Sequence, residues 1–70
     1  MVKNLYKGIF NFPHKAYILR RAAYSPDQAR LLMARAIANK QQTFISQVFE
    51  WMGQHPEDWK VALEIEWEEE

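Results

Sequence analysis

His14 and His55 are the only imidazoles in the chain, and no cysteine stands near them because the chain has none. A tetrahedral zinc site wants four nitrogen or sulfur ligands at clustered spacing. His14 instead follows Pro13 in a turn and His55 lies in the loop segment "GQHPED", so both read as solvated loop histidines and no metal is expected. Glu64 and Glu66 are two apart, which resembles a catalytic carboxylate pair, yet a spacing of two is also the period of a strand with one solvated face. The remaining groups have simpler uses. Ser25 suits a helix cap, Ser46 an early helical position, and Glu57 and Asp58 a loop leading into a strand. A Gly-rich phosphate loop cannot be built from Gly8 and Gly53 alone. The expectation is a protein that is not an enzyme and needs no cofactor.

Two binding chemistries have more support. Arg20 and Arg21 stand at the end of one strand, and Arg30, Arg35 and Lys40 decorate the helix after it. Cations near aromatics can neutralise phosphates and stack on bases. That makes RNA or DNA the alternative partner. Against it, Lys40 near a helix C-terminus complements the helix dipole, and Arg35 can lay its stem along the helix surface. The leading expectation is a protein partner or a second copy, met through surplus apolar surface: Leu5, Ile9, Ile18 and Trp51. Exposed apolar groups that lie together mark interfaces more often than scattered ones do. An edge strand ending in "WEEE" is a further pairing surface, although its carboxylates discourage it from pairing with itself.

These side chains depend on elements that the pattern specifies. Pro13 presets the backbone for a reversal at Phe12-Pro13-His14-Lys15, with β-compatible residues on both sides. This fixes a register in which Phe10 faces Tyr17, Gly8 faces Leu19 and Lys7 faces Arg20. Tyr6, Phe10, Phe12, Tyr17, Leu19 and Ala23 then share one face. Lys3, Leu5, Lys7, Ile9, Ala16, Ile18 and Arg20 share the other, which is assigned outward because mid-strand charges are costly to bury unpaired. "YSPDQARLLMARAIANK" is a helix with Ser25 as N-cap, Pro26 in the first turn and Gln28 completing a capping box. Its apolar face is Ala29, Leu32, Met33, Ala36 and Ile37. A second helical pattern groups Phe44, Ile45, Val48, Phe49 and Met52 and stops at Gly53. The two apolar stripes do not align, so a break is expected near residues 40 to 43. "WKVALEIEW" alternates throughout, placing Trp59, Val61, Leu63, Ile65 and Trp67 inward and Lys60, Ala62, Glu64 and Glu66 outward. Glu68, Glu69 and Glu70 read as a frayed tail.

The fold class is therefore α+β: a small two-layer domain with a β-hairpin, two helices and a third strand (ββααβ), both helices on one face of a three-stranded sheet. Residues 1–70 form a single domain. A chain this short buries only about 60% of its unfolded surface, which leaves little for a deep catalytic cavity. The formal charge is zero, but residues 1–40 carry +7 and residues 41–70 carry −7. Placing the third strand beside the first offsets this imbalance, because Glu64 and Glu66 then reach the like-charged pair Lys7 and Arg20. No apolar run approaches the roughly 18 residues of a membrane span, and the first dozen residues lack the apolar core of a signal peptide. The absence of cysteine suits a reducing compartment. The expected setting is cytoplasmic, away from membranes.

Overall fold

The computed structural model describes residues 2–67. Strand β1 (Asn4–Asn11) and strand β2 (Ala16–Ala23) form the hairpin, followed by α1 (Pro26–Gln41), α2 (Ile45–Gln54), β3 (Trp59–Leu63) and a 3-10 turn, Glu64–Glu66. The turn closes through both backbone bonds of the Phe12 and Lys15 pair, at 3.1 and 3.3 Å. Phe10 faces Tyr17, Gly8 faces Leu19 and Lys7 faces Arg20, as the turn chemistry requires. The sheet order is β2-β1-β3, antiparallel throughout, with Tyr6 opposite Leu63 and Phe10 opposite Trp59.

Tyr6, Phe10, Leu19 and Ala23 are buried from the sheet, and Ala29, Met33, Ala34, Ile37 and Ala38 from α1. Helix α1 touches all three strands, β2 most of all. Its buried stripe is turned slightly from the expected one: Ala34 and Ala38 are fully covered, whereas Leu32 and Ala36 are half-buried. Packing on two sides explains this, because α1 also meets α2. Small alanines let the two helices approach closely.

Both caps of α1 are local chemistry. The Ser25 hydroxyl accepts from the Gln28 amide at 3.1 Å, while the Gln28 side chain reaches one residue farther back than in a standard capping box, accepting from the Tyr24 amide at 2.7 Å. At the other end Gln42 adopts the left-handed conformation, φ 56°. Its amide donates to Asn39, and the Thr43 amide donates to the Ala38 carbonyl at 2.9 Å. This is a Schellman closure without glycine, and it separates the two helices where their stripes diverge. Helix α2 starts with the Gln47 side chain accepting from the Phe44 amide at 3.3 Å and runs through Gly53 to Gln54, one residue past the expected stop. Val48 and Met52 are buried, but Phe44 is 78% exposed.

The third strand departs most from expectation. It ends at Leu63 instead of continuing to Trp67, and Ile65, expected in the core, is 89% exposed. Trp67 also changes sides. Its indole N–H donates to the Ala62 carbonyl at 3.3 Å, and its ring lies under the Lys7 and Lys60 ammonium groups at 5.0 and 4.7 Å. The 3-10 turn breaks the strand alternation and brings Trp67 to the outer face, where the two cations engage its ring. Glu68, Glu69 and Glu70 lie outside the described residues.

Candidate functional site: the outer face and free edge of the sheet

Strand alternation sends Leu5, Lys7 and Ile9 of β1, Ala16, Ile18, Arg20 and Ala22 of β2, and Lys60 and Ala62 of β3 to the side away from the helices. Pairing arranges them in rows. Ile18, Ile9 and Lys60 form one, and Arg20, Lys7 and Ala62 the next. Ile18 is 58% exposed, Leu5 is 47% exposed and Ile9 is half-buried. Both helices lie on the other side, and among the described residues the turn after β3 and Trp67 reach across this face.

The charge on this face is partly compensated. Arg20 Nε donates to both carboxylate oxygens of Glu64, each at 3.1 Å. Glu64 thus crosses behind Lys7 to reach the far strand, joining the acidic part of the sequence to the basic part. Glu66 does not join this ladder. Its carboxylate turns back and accepts from the Leu63 amide at 3.2 Å, capping the turn that ends the strand. Lys7 is held by the Trp67 ring instead. Among the described residues the face presents an aliphatic centre bordered by Lys7, Arg20 and Lys60, with Glu64 bound to Arg20.

The fourth apolar candidate stands elsewhere. Trp51 is on α2, half-buried and stacked on Phe12 with ring centroids 3.9 Å apart. It closes the hairpin end of the core and is not continuous with Leu5, Ile9 and Ile18. Trp59 does similar work on the inner side, donating from its indole to the Met52 carbonyl at 2.9 Å and stacking on Phe10.

The five cations considered for nucleic acid are dispersed. Arg20 points outward and is bound to Glu64. Arg21, on the alternate face of β2, folds over the sheet edge so that its guanidinium donates to the Arg20 carbonyl at 2.7 Å. Arg30 pairs with Asp27 one turn back on α1. Arg35 and Lys40 are exposed on the same helix. Lys7 and Lys60, which sequence reasoning did not group, meet on the Trp67 ring. The available signal was the register, which places Lys60 beside Ile9 once β3 is set against β1.

His14 and His55 are exposed in separate segments, and His55 lies 3.5 Å from Asp58. Among the described residues no cluster of metal-ligating side chains forms, no pocket opens, and no helix is long and apolar enough to cross a membrane. Comparison with known proteins finds no matching family, no matching curated protein and no matching solved structure.

Proposed function

We propose that this chain is a small non-enzymatic interaction module that binds protein through the open face and free edge of its sheet. The observation carrying this reading is the aliphatic row Ile18 and Ile9, extended by Leu5, on a face the protein's own helices leave uncovered. Fully burying an isoleucine or leucine contributes about 1.5–3 kcal/mol. Side chains already held in a sheet lose little further freedom on binding. Lys7, Arg20 and Lys60 at the border favour a partner that brings carboxylates and set its orientation.

The test is capture from the source cell with the tagged chain and with Leu5→Asp/Ile9→Thr. Both substitutions leave the helix-side core untouched. A protein retained by the original chain and lost with the double variant, whose circular dichroism is unchanged, is the expected result. Retention of the same proteins by both chains refutes the assignment of the surface.

The nucleic-acid alternative has weaker support, because Arg20 and Arg30 are engaged by carboxylates and the others are scattered. Titration with generic RNA and DNA should show no binding even near 20 mM salt. Binding that appears there and falls steeply toward about 200 mM would put phosphate contacts first.

A further inference from the structure

Among the described residues β2 is an edge strand, bonded to β1 on one side and to nothing on the other. The parity of its free groups follows from the hairpin turn. Phe12 and Lys15 exchange both of their bonds, so the next bonded pairs are Phe10 with Tyr17, Gly8 with Leu19 and Tyr6 with Arg21. Ala16, Ile18, Arg20 and Ala22 therefore aim their amides and carbonyls away from the sheet. Edge strands are usually protected by proline, bulges, short length or an inward-pointing charge. From Ala16 to Ala23 there is no proline, glycine or acid, the strand runs eight residues, and its outward centre is the exposed Ile18; the protection it does carry is Arg21, a helix-side charge whose guanidinium covers the Arg20 carbonyl of the free edge. The opposite edge differs: β3 has five residues, and the Glu66 carboxylate closes it by taking the Leu63 amide.

Resting on the interaction reading above and naming its partner, we infer that β2 docks against β2 of a second copy of this chain. The strands run antiparallel, with Ile18 facing Ile18 across a twofold axis. The available registers differ in which groups they oppose. Centring the axis on Arg20 sets two guanidinium groups against one another, an unfavourable pair. Centring it on Leu19 spends Ile18 against Arg20. Centring it on Ile18 joins the two exposed isoleucines on the outer face, sets Tyr17 against Leu19 on the helix side and places each Arg20 opposite Ala16; its like-charged pairs, Lys15 with Arg21, fall at the two ends of the ladder, where β2 gives way to the turn and long side chains can splay into water. In this register Ile18 pairs with itself and Ala16 with Arg20 on either side, giving roughly six backbone bonds. The Arg21 guanidinium gives up the Arg20 carbonyl to the Ala16 amide of the second copy. A twofold axis perpendicular to the sheet keeps all four helices on one side. The product is a six-stranded sheet whose two outer faces are continuous.

Such an interface is small, below the roughly 1,200 Å² of a stable complex, so the dimer belongs to the weak, concentration-dependent class. Sedimentation equilibrium from about 10 μM to about 1 mM should resolve it, since weak complexes of this size sit in or above the micromolar range. The expected result is a rise in mass from monomer toward dimer, with association weakened about tenfold or more in two variants. Ile18→Pro removes an amide that makes no internal bond, as an edge position permits. Ile18→Lys keeps the strand and opposes two cations on the axis. Circular dichroism confirms that each variant remains folded. A monomer throughout the range, or a dimer indifferent to Ile18→Lys, overturns the inference. If the monomer result accompanies loss of a captured partner in Leu5→Asp/Ile9→Thr, the interaction reading stands without self-pairing.

Discussion

Replacing Gly8 with alanine tests how tightly the two layers meet. Gly8 is buried at the centre of β1, on the helix side between Tyr6 and Phe10. A Cβ added there would run into the Met33 sulfur, lie 2.9 Å from Phe10 Cε1 and 3.3 Å from Val61 Cγ2. Were the site roomy, the substitution would stabilise the protein. A buried methyl contributes about 0.8 kcal/mol, and the lost freedom of the unfolded glycine adds about 0.4–1 kcal/mol. Met33 and Phe10 are both fully buried, so room for the methyl requires shifting packed side chains. Overpacking a filled core costs about 1–3 kcal/mol, and two close contacts argue for the upper part of that range. The net expectation is a loss of about 1 kcal/mol. A small domain has a total near ~5 kcal/mol and a urea dependence near ~1 kcal/mol per molar, so the midpoint should fall by about 1 M. Tryptophan fluorescence during urea unfolding measures this. The cause is isolated by repeating Gly8→Ala in a Met33→Val background, where the side chain stops short of the sulfur. There the alanine should be close to neutral. An unchanged or raised midpoint for the single variant, or an undiminished loss in the double, would refute the close approach of α1 to β1.

The remaining predictions concern the helix break and the charge across the sheet. Gln42→Gly relieves a left-handed residue at φ 56° and should stabilise the protein by about 0.5–1 kcal/mol, read as a higher urea midpoint; a lower one would contradict the cap geometry. A double-mutant cycle on Arg20→Ala and Glu64→Ala should give a coupling of a few tenths to about 1 kcal/mol, since both side chains are substantially exposed, and it should shrink at high salt. Zero coupling at low salt would mean that the strands are not held by this pair.

Legibility followed the range of the interaction that decided each feature. The hairpin register was readable because Pro13 and a two-residue reversal set it within a few positions. The α1 cap was readable because Ser25 and Gln28 lie within one turn of each other. The break between the helices could be located from the mismatch of their apolar stripes, though not its mechanism, since Gln42 carries no marker of a left-handed residue. Gly8 left a fainter trace. A glycine in mid-strand signals a close approach, but only packing names Met33 as the group that approaches. The outward placement of Leu5 and Ile18 came from the cost of burying their charged neighbours. The register brings Lys60 near Lys7, but their meeting on Trp67 could not be read in advance, because unbroken alternation puts that ring on the inner side and the 3-10 turn moves it.

The alternation in "WKVALEIEW" states which way each side chain would point if the strand continued. It does not state that the strand continues. Local sequence determined the elements, the N-cap of α1, the hairpin register and the two-layer class, because those rest on backbone preferences and apolar spacing within a few residues. Tertiary structure alone decided where β3 stops and which side Trp67 takes. There, an arginine two strands away that takes the Glu64 carboxylate and two lysines over one indole outweigh the preference of the strand to run on, and a local carboxylate, Glu66, closes the freed Leu63 amide.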